Sequence, residues 1–339
     1  MTPASRPRED RPADPTFARL LRDRIAREGS ITVGQYMAAA NAHYYATRDP
    51  FGPAGDFVTA PEIHQMFGEM VGAALVDVWD RAGRPTEAIF AELGPGRGTL
   101  AADALRVMRG AGFSGEIHLV ETSATLRKAQ AGRVPDAVFH DTVEGLPERP
   151  LLLIANEFFD ALPVEQWVGD EQRRVTLDEG GLAFTTDGDI RETSPDRSAA
   201  MAVIADRLAR HGGAALIIDY GYAGGETGDT LQAVRSHAHA NPLQDPGEQD
   251  LTAHVDFAAL AAAARGARAV PSRVVGQGSW LETLGIGVRA SSLAARNPAQ
   301  TEAIAAARRR LCDEAEMGRL FKVLGVRAPN WPDLAGLST

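Results

Sequence analysis

The chain has 339 residues, with 35 Lys and Arg against 45 Asp and Glu, a formal net charge of -10, and 44% hydrophobic residues. That balance describes a soluble globular protein, and its acidic excess offers no general basic field to gather a phosphate backbone, so nucleic acid is excluded as the principal partner. The lone cysteine, Cys312, cannot form an internal disulfide, and no His/Cys cluster has the spacing of a zinc site, so we expect no metal and a reducing compartment, the cytoplasm.

In chain order, residues 1–15 mix Arg with Glu9, Asp10 and Asp14 and lack an apolar centre, which reads as a flexible polar tail. Residues 16–87 read as a helical region. Phe17, Leu20, Leu21 and Ile25 recur at helical spacing up to about Asn41, with Ser30 as a cap for the next turn, and a second helix is predicted from about Pro61 to Arg81. Between them the turn-forming stretch from Asp49 to Phe57 cannot continue a helix.

Residues 88–330 alternate short apolar runs with helical patterns, the signature of a parallel sheet covered by helices. Strands are expected at Ala88 to Leu93, Ile117 to Glu121, Ala137 to His140, Leu151 to Ala155, Ala214 to Ile218, near Ala269 to Val275, and near Phe321 to Val326, which makes a Rossmann-like α/β fold with a seven-stranded sheet. Two insertions interrupt it: a hairpin or small meander at about 165–193 and an Ala/Arg-rich helical segment at about 280–316. The longest mid-chain apolar run, Leu151 to Ala155, is far too short to span a membrane.

The first predicted strand runs directly into Glu92-Leu93-Gly94-Pro95-Gly96-Arg97-Gly98. A tight turn into a helix whose backbone must approach a ligand needs positions without Cβ atoms, which Gly94, Gly96 and Gly98 supply. Glycines alone also serve packing. Glu92 separates the possibilities, because a carboxylate there repels a dinucleotide pyrophosphate and neutralises the cationic aminoacyl end of S-adenosylmethionine. Gly98, one place from the third glycine of a dinucleotide fingerprint, keeps that second reading open. Glu121 ends the next strand, where its oxygens can accept from two ribose hydroxyls of either cofactor, and Asp141 after the third strand offers an acceptor for an adenine amino group.

Past the fourth strand, Glu157 and Asp160 stand three apart, so a turn or short helix sets both carboxylates on one side, an arrangement suited to a cationic acceptor. The alternatives are a helix cap for Glu157 and a solvated or Arg-paired Asp160. Phe158 and Phe159 read as packing residues, with Phe158 on the substrate side. Asp219 and Tyr220 follow the fifth strand and are expected to line the substrate mouth. His237, His239 and His254 read as loop histidines, and Arg308-Arg309-Arg310 as a solvated helix face.

Taken with their flanks, these residues resemble the MidA family of methyltransferases. The stretches that carry the likeness are Gly55 to Ile63, Glu92 to Leu100, Asn156 to Pro163 and Asp250 to Phe257, with weaker agreement at Trp280 to Ile286 and Met317 to Val323. Two departures stand out: Ala60 where the family has Ser, and Asn156 where mitochondrial relatives tend to have His. The resemblance implies that S-adenosylmethionine is the cofactor, that Gly55, Asp56, Thr59, Pro61, Glu62 and Asn156 join Glu92 and the glycines around it, and that the loop after Asn156 faces the methyl acceptor. It further implies a protein arginine as acceptor, in a respiratory complex I subunit for the mitochondrial members, and so the mitochondrial matrix as an alternative location. Methylation of a small amine or hydroxyl compound, and a non-catalytic assembly factor that keeps the fold, are the competing readings. Oligomeric state is not legible.

Overall fold

A computed structural model describes residues 15–47, 59–225, 228–235 and 238–339. The chain groups into two compact units, one of residues 1–58, 163–193 and 228–252, and one of residues 59–162, 194–227 and 253–339.

The first unit holds helices α1 (Pro15–Glu28) and α2 (Val33–Thr47) and three small three-stranded sheets. The helices are separate because Gly29 adopts φ 86 and closes α1. Thr32, rather than the expected Ser30, starts α2: its hydroxyl accepts from the Gln35 N–H at 3.0 Å while the Gln35 side chain accepts from the Thr32 N–H at 3.0 Å, a reciprocal cap. Asn41, buried in α2, pairs with Leu251 as a strand would, giving its amide to the carbonyl at 2.7 Å and taking the N–H at 3.0 Å. The insertion expected as a hairpin is larger. It has five strands between Glu165 and Thr193, divided over two sheets and organised by the buried Arg173, which lies 3.7 Å over the Phe184 ring and pairs with Asp229 at 2.7 Å.

The second unit carries the predicted sheet. Its strands are β1 (Ile89–Leu93), β2 (Ile117–Val120), β3 (Ala137–His140), β4 (Leu151–Asn156), β5 (Gly213–Tyr222), β6 (Val270–Pro271) and β7 (Phe321–Arg327), in the order β6-β7-β5-β4-β1-β2-β3. Strands β1 to β5 run parallel, and β7 enters antiparallel to β5. Short strands at Val255–Asp256 and Val275–Gly276 extend the sheet at β5 and β7. The expected sixth strand is cut in two at Ser272: its N–H donates to the Gly325 carbonyl at 2.8 Å, but the Gly325 N–H goes to the Ser272 hydroxyl at 3.0 Å, and pairing with β7 resumes only at Val275.

Side chains alternate across the sheet, so Phe90, Leu152, Ile154, Leu216 and Ile218 enter one core and Ala91, Leu93, Leu153, Ala155 and Ile217 the other. The helices of this unit are α3 (Ala60–Ile63), α4 (Met66–Arg81), α5 (Thr99–Gly110), α6 (Ala124–Arg133), α7 (Pro195–His211), α8 (Phe257–Gly266), α9 (Gln277–Thr283), α10 (Ile286–Arg296), α11 (Thr301–Cys312) and α12 (Met317–Leu320). Residues of α4, α5 and α9 to α11 fill the first core, and those of α7 and α8 the second. The helix predicted over Pro61 to Arg81 breaks at His64, whose extended backbone (φ -167) lets its ring nitrogen accept the Met66 N–H at 3.1 Å.

Helices α4 and α5 cross without room for side chains, since a Cβ on Gly72 would lie 2.5 Å from the Ala104 carbonyl oxygen. We expect Gly72→Val to destabilise the protein by roughly 3 kcal/mol or more, because the obstacle is backbone; chemical denaturation measures it, and wild-type stability would contradict this packing.

Candidate functional site

In an open parallel sheet a crevice forms at the carboxyl ends of the strands where the order reverses, and here the reversal lies between β1 and β4. The register sets Leu93 beside Ala155, so Gly94 and Asn156 leave the sheet side by side. Continuing the alternation places Glu92 on the face of Phe90, Asn156 on that of Ile154, and Tyr220 on that of Ile218.

Glu92 is 2% exposed. Its carboxyl takes the Ala101 N–H in the first turn of α5, while Oε2 has no partner among the described residues. Burial pushes its pKa up to about 8. The turn that follows has Gly94, Gly96 and Gly98 at φ 58, 53 and 77, the left-handed region that a side chain disfavours. At Gly94 the absence of a Cβ also leaves space, for one built there would meet Phe158 at 3.2 Å.

Beside this turn lies a pocket of about 280 Å³ lined by Gly94, Glu121, Asp141 and Phe158 among the expected residues, and by Thr122 and Val143 among those not foreseen. Glu121 is buried, accepting the Ser123 N–H on Oε1 at 2.8 Å and the Gln130 amide on Oε2 at 3.2 Å; burial raises its pKa and these bonds oppose the rise. Asp141 is exposed and pairs with Arg127 at 2.7 Å. Of the N-terminal signature, Gly55 and Asp56 lie outside the described residues. Thr59 and Pro61 open α3, and Glu62 accepts the Thr99 hydroxyl at the head of α5 and sits 3.8 Å from Arg133. Glu62 is therefore tied to the helix behind the glycine turn.

The loop after β4 is a turn with no helix, which removes the helix-cap alternative for Glu157. Glu157 adopts φ 49, uncommon for a residue with a Cβ. Its N–H donates to the Ile218 carbonyl at 2.9 Å, and its Oε1 accepts from the Asn156 amide at 3.2 Å and the Ala60 N–H at 3.4 Å. Part of the residue reaches the surface, yet protein encloses the carboxyl, and that enclosure with the neighbouring Asp160 pushes it up to about 8. Asn156 keeps Oδ1 buried without a partner among the described residues.

Asp160 is buried, which rules out a solvated acid. Burial raises its pKa, while a hydrogen bond from Tyr220 and the charge of Arg197 pull it down. Asp219, expected at the substrate mouth, is fully buried. Its Oδ2 accepts the N–H groups of Phe159 at 3.0 Å and Asp160 at 3.1 Å, and it shapes the loop from beneath. Burial and the neighbouring Asp160 and Glu157 carboxyls hold its pKa well above the ordinary range. Phe159 is buried as expected, and Phe158 packs edge-on to it at 5.4 Å. His254, read as a loop histidine, stands edge-on to Tyr220 at 5.6 Å, and Arg308 pairs with Glu282 at 2.9 Å.

Two further residues escaped the sequence reading. Arg197, 4% exposed, donates to the carbonyls of Asp160 at 2.9 Å, Ala253 at 2.9 Å and His254 at 2.6 Å. A cation in the first turn of a helix opposes the helix dipole, and that was the available signal. Gln130 lies four residues after Leu126 on the buried stripe of α6, where a polar side chain needs a partner.

The acids leave a pH signature. Glu92 has a native pKa near 8 against 4.5 for the free side chain, so the native state keeps a proton that the unfolded chain releases between those values, and stability falls as pH rises across that window. We expect the melting temperature of the ligand-free protein to drop from about pH 5 to about pH 8. Glu92→Gln should lessen the drop, gaining up to roughly 5 kcal/mol at pH 8; a pH profile parallel to wild type would show that Glu92 is ionised in the native state.

The residues present fit S-adenosylmethionine: Glu92 Oε2 and Asn156 Oδ1 are buried without donors among the described residues, and the Gly94 turn lines the adjoining pocket. A family profile described as "Putative S-adenosyl-L-methionine-dependent methyltransferase" matches residues 70–187 and 173–274. The protein arginine methyltransferase NDUFAF7 homolog of Drosophila melanogaster, named as mitochondrial, is 35% identical over 92% of this chain and 84% of its own length. The mitochondrial protein arginine methyltransferase NDUFAF7 of Homo sapiens is 32% identical over 83% of this chain and 75% of its own. A Burkholderia thailandensis protein with S-adenosyl-homocysteine in its crystal structure superposes with TM-score 0.84 at 28% identity, covering 95% of this chain and 94% of that one. The chain belongs to this family of S-adenosyl-L-methionine-dependent methyltransferases, and its α/β fold is theirs.

Proposed function

We propose that the chain methylates an arginine guanidinium of a protein, using the acids on the loop after β4 to hold the cation. The observation that carries this reading is the enclosure of Glu157 beside the buried Asp160, on a loop that leaves the sheet next to the glycine turn. Relatives named as protein arginine methyltransferases support the acceptor class.

Bound S-adenosylmethionine supplies an electrophilic methyl on a sulfonium, so the chain's task is alignment, desolvation and proton handling. In this reading Glu92 and Asn156 neutralise and orient the aminoacyl end, the glycine turn admits the backbone of the site close to it, and Glu121 receives the ribose hydroxyls. Asp141 and Phe158 line the nucleoside pocket. Thr59, Pro61 and Glu62 brace the glycine turn through α3, with Gly55 and Asp56 assigned to the same cover.

A guanidinium stays protonated at neutral pH, and carboxylates grip its plane through forked hydrogen bonds. Glu157 is the clamp. Burial and the neighbouring Asp160 push its carboxyl up to about 8, so it favours the protonated form at neutral pH; arrival of the guanidinium favours the charged form and releases that proton to solvent. Asp160, whose proton affinity burial raises against the opposing pull of Tyr220 and Arg197, takes up the proton released after transfer.

The compartment we assign is the cytoplasm, with the mitochondrial matrix as the alternative because the relatives are named as mitochondrial. No helix among the described residues is long and apolar enough to cross a membrane. The acceptor to test first is a respiratory complex I subunit, on the strength of the MidA resemblance.

Incubation with labelled S-adenosylmethionine and proteins from a lysate of the source organism should label protein at arginine. Label confined to small molecules would transfer the assignment to a small-molecule methyltransferase. Activity should climb as pH rises toward about 8, following ionisation of Glu157. Glu157→Gln should lower kcat by at least about a hundredfold and abolish that limb, with S-adenosylmethionine affinity little changed; a full-rate variant would remove Glu157 from the acceptor site.

A further inference from the structure

We infer that Gln130 is a positioning residue of the cofactor site, whose single amide group ties the glycine turn to Glu121 and fixes the carboxylate for the ribose hydroxyls. The inference rests on the proposed role of Glu121 and extends it to a residue that makes no contact with substrate.

Gln130 is fully buried on α6. Its Nε2 donates to the Gly96 carbonyl at 2.7 Å and to Glu121 Oε2 at 3.2 Å. Both partners are acceptors, so the amide can lie only this way round; turned over, its oxygen would face two oxygens. The arrangement leaves Gln130 Oε1 buried without a partner among the described residues. An unpaired buried acceptor is unfavourable, and it persists here because both N–H groups of the amide are committed to the site.

The geometry on the Glu121 side is equally constrained. Oε1 takes the Ser123 N–H, Oε2 takes Gln130 and the Thr122 backbone also bonds the carboxylate, so the group is held at both oxygens and these bonds aim its remaining acceptor capacity. Helix α6 is seated for this: a Cβ on Gly98 would lie 3.5 Å from both Cα and Cγ of Gln130, and the Ser123 hydroxyl caps the helix start. One side chain therefore fixes, relative to each other, the turn after β1 and the acid after β2.

The amide also acts on charge. Burial favours the neutral carboxyl of Glu121, and the Gln130 bond is among the interactions that oppose it. Without that bond the carboxyl takes up its proton at a higher pH, so the acid edge of nucleoside binding moves upward. Loss of packing alone would weaken binding without moving that edge.

The test is calorimetric binding of S-adenosylhomocysteine and of 5′-methylthioadenosine, which lacks the amino-acid half, to the whole chain from about pH 5 to about pH 8. Gln130→Met, close in volume and without donors, should weaken both ligands about tenfold and shift the acid edge upward, with the melting temperature near wild type. A folded Gln130→Met protein with wild-type affinities and an unmoved edge overturns the inference. Glu121→Ala is the separate check on the reading beneath it: wild-type binding by that variant would overturn the ribose assignment itself. If Gln130→Met does not fold, the wild-type protein decides. The side-chain amide resonance of Gln130 should shift when 5′-methylthioadenosine is added, and a stationary resonance overturns the inference.

Discussion

The carboxylate of Asp219 receives two consecutive backbone N–H groups from the loop after β4, and the shape of the proposed acceptor side follows from that fork. A loop leaving a buried strand end must satisfy its own amides without a helix or a ladder. Asp219, carried on the neighbouring strand, does this from below and thereby leaves the Glu157 carboxyl above the sheet. The Glu157 N–H is held by the carbonyl of Ile218, one residue before Asp219, so the same strand restrains the loop at three amides, those of Glu157, Phe159 and Asp160. The φ of 49 at Glu157 persists because its surroundings leave no alternative.

That solution concentrates acids. Glu157, Asp160 and Asp219 occupy one region with their pKa values raised, and the charge of Arg197 opposes the rise at Asp160 and Asp219. Arg197 spends its guanidinium on three backbone carbonyls, from the loop after β4 and from the segment before α8, and keeps its charge within range of Asp160 and Asp219. The net result is a region short of positive charge. In the proposed reading a neutral substrate meets protonated acids there, whereas a cationic one displaces protons and gains the field of the carboxylates, so the site discriminates by charge before shape.

Much of the fold was legible because the physics was local. Five apolar runs became parallel strands within a few residues of their expected bounds, since a strand buried on both faces leaves a continuous apolar trace. The tight turn after β1 was legible for a related reason: Gly94, Gly96 and Gly98 declare a backbone requirement inside seven residues, and all three adopt positive φ. What escaped depends on partners distant in sequence. Asp219 reads in sequence as an acid at a strand end open to substrate, and only the three-dimensional register reveals that it holds amides sixty residues earlier. The interruption of the sixth strand at Pro271 and Ser272 required Gly325 as partner. Gln130 and Arg197 were detectable as polar residues in unsuitable helix positions, but their targets were not.

The buried acids also set the terms between stability and activity. A carboxyl that must give up its proton when a cation arrives has to be enclosed enough to keep that proton beforehand, and enclosure is what makes it unfavourable for the empty protein. Glu92 sits at the same conflict on the cofactor side, its one bonded oxygen steadying the first turn of α5 while the other lacks a donor. An apolar residue at either position would pack better and bind nothing. The ligand-free enzyme is therefore held below the stability its sheet would permit, and each cation that enters returns part of the difference as binding energy.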